Sequence, residues 1–176
     1  LRKLGEYQAL ERNTLKDTFI KYIDALEMPI IDYVAIGVQD TIECKSCSLM
    51  SRPEWQKVFK ELNLAKHDPI RKASFHTTCN MFSFDAIDVN DSAGREVMKK
   101  RRQYEIENGL VIMQRNLGFN FMLTLGTGYK NFNSHKFYIH SHKAIDKVFQ
   151  DLISLITPIT KSYQIKSFNH QSVDAK

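Results

Sequence analysis

The chain lacks any long apolar run. No stretch of about 18 consecutive apolar residues occurs, so the sequence predicts no transmembrane helix. With only 7 Gly and 4 Pro it is not a low-complexity chain, and with 43% hydrophobic residues it is not a disordered one. The start, Leu1-Arg-Lys-Leu-Gly-Glu6, runs into polar sequence and not into the apolar segment of a signal peptide. We therefore expect a cytoplasmic protein, not associated with a membrane, that folds as one compact domain.

Cysteine is also scarce, with 3 in 176 residues. Cys44 and Cys47 form a C-x-x-C, which invites a zinc or redox interpretation. No second C-x-x-C follows at zinc-ribbon spacing, however, and no βαβ pattern surrounds this one. We expect two thiols in a hairpin between short strands, with Cys79 as a small core residue. Neither a metal nor a cofactor is expected.

Catalytic motifs are missing as well. His67, His76, His135, His140 and His142 could supply a general base or metal ligands, because neutral imidazole serves both tasks. No H-E-x-x-H, G-x-S-x-G or paired-carboxylate motif accompanies them. We do not expect an enzyme, and the catalytic alternative would be recognised by metal bound to the purified protein.

The net charge is +5, and its densest basic point is Lys99-Lys-Arg-Arg102. A basic run can contact the phosphates of nucleic acid. This run lies in a helical pattern with Val97, Arg101 and Tyr104 at three- and four-residue spacing, where a charge run favours a solvated helix face. Because no helix-turn-helix, zinc-finger or RNA-binding signature is present, the chain itself is not expected to bind DNA.

Periodicity predicts an alternation of helices and strands. Helical spacing predicts helices near 14–26, 54–62, 69–77, from Asp91 or Ser92 to Gly109, and over 145–156. Segments rich in β-formers predict strands near 32–39, 48–51, 81–84, 110–114 and 120–128. Thr14-Leu-Lys-Asp17 resembles a capping box at the start of the first helix. Gly109 is expected to end the helix that begins at Asp91 or Ser92, and Pro158 is expected to kink or end the last helix.

This order of elements predicts an α+β domain in which one antiparallel sheet is covered on both faces. The domain is expected to span residues 1–168. Residues 169–176 are polar and are expected to begin a linker.

The most informative segment holds Trp55, Phe59 and the dipeptide Asp68-Pro69. An indole N–H only donates a hydrogen bond and a carboxylate accepts, so together they suit a ligand with a carbonyl and an amide N–H. Trp55 and Phe59 lie one helical turn apart and can face one cavity. The structural alternative is that Trp55 is a core residue and that Asp68 caps a helix beginning at Pro69.

This spacing of Trp, an aromatic residue and Asp-Pro resembles the ligand domain of the LuxR-type quorum-sensing regulators, the receptors of acyl-homoserine lactones. Looser similarity extends through Phe82-Ser-Phe84, Glu107–Ile112 and Phe121–Gly126. The resemblance implies an α/β/α sandwich similar to GAF and PAS domains, with the lactone buried between the sheet and one helical layer. It also implies a homodimer that binds DNA only through a C-terminal helix-turn-helix domain not present in this chain.

The resemblance assigns roles to particular residues. Trp55 would donate to the lactone carbonyl, Asp68 would accept from the amide N–H, and Thr124 would contact the amide or acyl carbonyl. Phe59 and Phe84 would wall the lactone. Residues expected to line the acyl-chain slot are Val34, Ile36 and Met122.

Three positions depart from the family pattern. Ser51 replaces a Tyr that donates to the acyl carbonyl, Phe59 replaces a Tyr, and Phe84 replaces a Trp one place out of register. Each unmatched buried acceptor on a ligand would cost about 1–3 kcal/mol. The ligand is therefore a different acyl lactone, another acylated signal or a molecule lacking one carbonyl. The alternative function is a GAF- or PAS-like interaction module with a different ligand or a protein partner.

Overall fold

The structure, a computed structural model, describes residues 2–42, 45–116 and 118–171, with side chains described between residues 13 and 158. The helices within this part are α1 (Arg2–Asp24), α2 (Pro53–Glu61), α3 (Pro69–His76), α4 (Ser92–Gln103) and α5 (Ser134–Gln171). The strands are β1 (Tyr33–Asp40), β2 (Ser46–Met50), β3 (Met81–Ser83), β4 (Asn108–Asn116) and β5 (Phe119–Thr127). Short 3-10 turns lie at Leu64–Lys66 and Phe84–Ala86.

The strands form one antiparallel sheet in the order β2-β1-β5-β4-β3. In the centre, Ala35 of β1 lies opposite Met50 of β2 on one side and Thr124 of β5 on the other. The predicted antiparallel pair of the first two strands is confirmed, and so is the sheet as a whole.

Helices cover both faces of the sheet, which confirms the predicted α/β/α sandwich. The first core lies under α1 and α5 and includes Phe19, Val34, Ile36, Leu123, Ile145, Leu152 and Ile156. The second core lies under α2, α3 and α4 and includes Tyr33, Ala35, Trp55, Phe59, Ile70, Phe84 and Val97. Consecutive residues of β1 therefore alternate between two buried faces.

The predicted capping box at Thr14 is wrong. Helix α1 already begins at Arg2, so Thr14 lies within the helix. The Thr18 hydroxyl donates to the Thr14 carbonyl at 2.8 Å, a bond back to the preceding turn that threonine makes inside helices.

The predicted helix end at Gly109 is also wrong. Helix α4 is capped by Asp91, as expected, but it ends at Gln103, and Glu105 takes a positive φ of 55° beyond it. Gly109 lies in β4, where an added Cβ would stand 2.4 Å from the Leu125 carbonyl oxygen and 2.7 Å from Phe84 Cζ. Glycine is required here for close packing and not for a helix stop.

Helix α5 neither begins nor ends where the periodicity indicated. It starts at Ser134, so His135, His140 and His142 lie on it, and it continues through Pro158 to Gln171. A proline within a helix costs one hydrogen bond and a steric clash. The buried stripe from Ile145 to Ile156 holds the preceding turns on the sheet and offsets that cost. No described helix has an apolar stretch long enough to cross a bilayer.

Candidate functional site

A cavity of about 730 Å³ lies between the sheet and helices α2 and α3. Its floor is formed by β1, β2, β4 and β5, and its lining extends to Asn13, Leu15 and Lys16 of α1. Described residues along the floor are Tyr33, Ala35, Gly37, Gln39, Ser48, Met50, Met113, Met122 and Thr124. Those on the helical side include Pro53, Gln56, Lys57, Phe59, Lys60, Asp68, Ile70, Arg71, Ser74 and Arg101.

Arg52 holds the beginning of α2 in place. Its Nη2 lies 2.9 Å from Asp32 Oδ1, just before β1, and its Nη1 donates to the Tyr104 carbonyl at the end of α4. Glu105 lies 3.5 Å from the same nitrogen. Three elements that surround the second core are thus joined through one guanidinium.

Asp68 positions α3 and is itself buried. Its Oδ1 accepts from the Ile70 N–H at 3.2 Å, with Pro69 in the first turn, so the expected helix-cap role is present. Its Oδ2 accepts from Arg101 Nη2 at 3.0 Å, and the two side chains are only 5% and 4% exposed. Both oxygens of this carboxylate therefore already accept a hydrogen bond within the protein.

Arg101 lies against the two aromatic rings that the resemblance placed around a lactone or its carbonyl. Its Cζ is 5.2 Å from the centroid of the Trp55 ring and 5.8 Å from that of Phe84, distances of cation–π contact. Trp55 also packs on Phe59 and Tyr104, at centroid distances of 5.4 and 5.5 Å. The guanidinium is held by one carboxylate and two rings.

The prediction that the basic run forms only a solvated face is wrong for Arg101. It lies one turn after Val97, which is 2% exposed, and shares the buried side of α4. Lys99 and Arg102 are exposed, as expected. The four-residue spacing from Val97 was the signal that could have identified Arg101 as buried.

Three buried polar atoms have no hydrogen-bond partner within the described part of the chain. They are Trp55 Nε1, Arg101 Nε and Gln56 Oε1. The other end of the Gln56 amide donates to the Ser48 carbonyl at 3.0 Å, which fixes its orientation. Gln56 Oε1 thus remains unsatisfied, and the Trp55 and Arg101 donors have the Tyr33 phenol nearby but outside normal hydrogen-bond geometry. A buried unsatisfied group costs about 1–3 kcal/mol.

Tyr33 is a further polar residue of the site that the sequence analysis missed. It is 1% exposed on the cavity floor. Burial raises the pKa of its phenol to about 12, the nearby Arg101 charge opposes this rise, and the Asp68 carboxylate adds to it. Since the phenol stays protonated at neutral pH, it can donate a hydrogen bond. Its place in an apolar β pattern carried no sign of this role.

The predicted site residues divide between the cavity wall and the core. Phe59, Asp68, Met122 and Thr124 line the cavity. Trp55 and Phe84 are buried in the second core against Arg101, and neither is among the described residues that line the cavity. A ligand therefore meets Arg101, which lies against the indole.

Three predicted residues lie elsewhere. Ser51 accepts from the Val34 N–H through its Oγ at 2.9 Å, so it extends the pairing of β1 with the end of β2. Val34 and Ile36 belong to the first core, on the opposite face of the sheet, because side chains alternate along a strand. Their neighbours Ala35 and Gly37 line the cavity instead.

The described residues contain no group of three or more His, Cys, Asp or Glu side chains that could hold a metal ion. The ring nitrogens of His140 and His142 contact carbonyls of their own helix. Cys44 lies outside the described residues, and Cys47 lies in β2. Cys79 is exposed, which corrects its predicted place in the core.

The sequence profile of the family described as autoinducer-binding domain matches residues 12–144. The match covers the sheet, α2 to α4 and the beginning of α5. The chain therefore belongs to this family, the ligand-binding regulatory domain of LuxR-type proteins. No curated protein sequence matches the chain.

Solved structures share the fold. The N-acylhomoserine lactone dependent LuxR family transcription factor CepR2 from Burkholderia cenocepacia is 14% identical with a TM-score of 0.58, over 73% of this chain and 76% of CepR2. SdiA in complex with octanoyl-rac-glycerol is 11% identical with a TM-score of 0.54, over 84% of this chain and 66% of that one. The ligand-binding domain of VqsR from Pseudomonas aeruginosa is 15% identical with a TM-score of 0.51, over 88% of this chain and 96% of the VqsR domain.

Proposed function

We propose that this chain is a non-catalytic sensor domain that buries an acyl-homoserine lactone or a related acylated signal in its cavity. Occupancy would then be relayed to DNA binding through a separate domain. The observation that carries the proposal is the cavity of about 730 Å³ in a chain of the autoinducer-binding family. Its size is typical of sites for small organic molecules.

The lining suits a ligand with an apolar tail and a polar head. Ala35, Met50, Phe59 and Met122 offer apolar surface. Asp68, Arg101 and Thr124 place polar groups in the same wall. CepR2 depends on an N-acylhomoserine lactone and SdiA holds octanoyl glycerol, and both ligands combine an acyl chain with a polar head.

Ligand binding should stabilise the domain. A ligand that binds only the folded state adds about 2.7 kcal/mol at a hundredfold excess over its dissociation constant. For a chain of this length, that corresponds to a rise in melting temperature of about 5–10 °C. The unsatisfied atoms of Gln56 and Arg101, which line the cavity, would give the ligand part of its binding energy by gaining partners.

The proposal is tested by thermal unfolding of the purified chain with acyl-homoserine lactones, monoacylglycerols and fatty acids of several chain lengths, alongside native mass spectrometry. A chain-length-dependent rise in melting temperature is expected. Ala35→Phe fills the cavity floor and should abolish the rise, whereas Ala144→Phe on the exposed side of α5 should not. No shift with any compound would favour the protein-interaction alternative, and an unaltered shift in Ala35→Phe would show that the ligand binds outside this cavity.

We also propose that the domain forms the homodimer that the resemblance implies. The apolar stripe of α5 from Ile145 to Ile156 is buried on the sheet, so this stripe is not the dimer surface. Sedimentation equilibrium of the purified chain tests the proposal, and a monomer at all concentrations would contradict it.

A further inference from the structure

At the head end of the cavity, the acceptor expected for an N-acyl amide already holds two donors of the protein and would have to accept a third. An amide N–H needs an acceptor, and Asp68 was the residue expected to provide it. Its Oδ1 is engaged by the Ile70 N–H and its Oδ2 by Arg101, both within 3.2 Å. The Arg101 guanidinium also lies against Trp55 and Phe84, where the lactone ring was expected.

The unsatisfied atoms that belong to described cavity-lining residues are the Arg101 Nε donor and the Gln56 Oε1 acceptor. Arg101 Nε is buried without a partner among the described residues, and Arg101 lines the cavity. The buried Trp55 indole lies against Arg101 but does not line the cavity, and its N–H lies near the Tyr33 phenol. Hydrogen bonds from a guanidinium to an ionised acceptor are shorter and stronger than bonds between neutral groups. A head group that accepts hydrogen bonds fits here better than one that must donate.

The cavity as a whole is electropositive. Its described charged lining consists of the basic residues Lys16, Lys57, Lys60, Arg71 and Arg101 and the acidic residue Asp68. The Arg101–Asp68 pair is neutral by itself, and Lys57 lies 3.9 Å from Glu61, so the surplus charge comes mainly from Lys16, Lys60 and Arg71. A cleft lined by one sign of charge attracts ligands of the opposite sign.

We infer that the ligand is an acyl-chain carboxylate, such as a fatty acid anion, whose head group accepts from Arg101 rather than a lactone held by Asp68. This inference rests on the proposed function, and it names the chemical class of the ligand. Arg101 then bridges two carboxylates, those of Asp68 and of the ligand. The surrounding lysines and Arg71 balance the added negative charge.

The test compares head groups on one acyl chain. Decanoate, decanol and N-decanoyl-homoserine lactone are titrated into the wild-type chain at neutral pH. The signal is the fluorescence of Trp55, the one Trp in the sequence, which is 0% exposed and lies against Arg101. Calorimetry confirms each dissociation constant, and dodecanoyl compounds repeat the comparison.

Decanoate should bind about tenfold or more tightly than decanol and the lactone. This preference should shrink as salt is added, because exposed charges such as those of Lys57 and Lys60 are screened. Equal or tighter binding of the lactone or of decanol would overturn the inference and leave the proposed function standing. If none of the compounds binds, both fall.

Variants assign the preference to particular charges. Arg101→Lys keeps the charge and removes the Nε donor, and it should weaken decanoate about tenfold while decanol is unchanged. Lys57→Gln at the cavity should weaken decanoate slightly, whereas Lys99→Gln, also exposed and paired within its helix, should not.

An unchanged affinity for decanoate in Arg101→Lys would refute the assignment. Should that variant fail to fold, Arg101→Met combined with Asp68→Asn removes both charges and serves the same comparison. This double variant should bind decanoate no better than it binds decanol.

Discussion

Replacing Arg101 by Met tests the energetic role of the buried ion pair. The change removes the guanidinium and keeps an unbranched side chain that can pack on Trp55 and Phe84. Asp68, which is 5% exposed in the wild type, would keep the Ile70 N–H as its described hydrogen-bond donor. Removing one partner of a buried pair costs about 3–5 kcal/mol, because the other charge is left uncompensated.

The partner change, Asp68→Asn, should cost a similar amount. Its amide oxygen can still accept from the Ile70 N–H and cap α3, so the loss arises from the uncompensated Arg101. The double variant removes both charges, and it should lose much less than the sum of the two single losses. Each single variant should melt about 10 °C lower than the wild type.

The assay is urea unfolding followed by far-ultraviolet circular dichroism. Fluorescence is unsuitable here, because Trp55 contacts the substituted residue. If the two single losses add to the double loss within about 0.5 kcal/mol, the residues are not coupled and the reasoning from the buried pair fails.

Gly109→Ala should lower the free energy of unfolding, measured by urea unfolding, by about 1–3 kcal/mol, because its Cβ would lie 2.4 Å from the Leu125 carbonyl oxygen. Unchanged stability would contradict that contact. Folding raises the pKa of Tyr33 from 10.0 to about 12. The contribution of the neutral phenol to the free energy of unfolding is therefore complete below pH 10 and is lost as the pH rises to about 12. Wild type should therefore lose about 2–3 kcal/mol more than Tyr33→Phe over this range, and parallel curves would refute the shift. Met122→Ala should make the cavity prefer a longer acyl chain. Ile36→Ala should lower the free energy of unfolding by about 2–5 kcal/mol without changing the preferred chain length. A changed chain-length preference in Ile36→Ala would contradict its place on the other face of the sheet.

The strands and the pairing of β1 with β2 were predictable from the sequence. The face of the sheet on which each strand residue lies was not. Residues 33–38 are all buried, because helices cover both sides of the sheet. A continuous apolar run carries no alternation from which the cavity side could be deduced. Val34 and Ile36 were therefore assigned to the wrong face, although β1 itself was predicted to within one residue at each end.

The register of Trp55, Phe59 and Asp68 pointed to two residues that line the helical side of the cavity, Phe59 and Asp68, and to Trp55, which lies in the second core. The sequence could not show that Asp68 is paired, because its partner Arg101 lies 33 positions away and sits in a basic run that resembles a solvated face. Only the packing of α4 against α3 and the aromatic rings brings the two charges together. Contacts between distant segments are not encoded in local spacing.

The first helix touches the cavity at one point and α5 at another. Asn13, Leu15 and Lys16 line the cavity, and the Tyr22 hydroxyl donates to Asp151 on α5 at 2.8 Å. Lys16 and Tyr22 are about 9 Å apart along the helix axis, less than two turns. A helical segment this short is stiff, so a tilt of α1 at its cavity end would displace its contact with Asp151 of α5 without any rearrangement of the sheet.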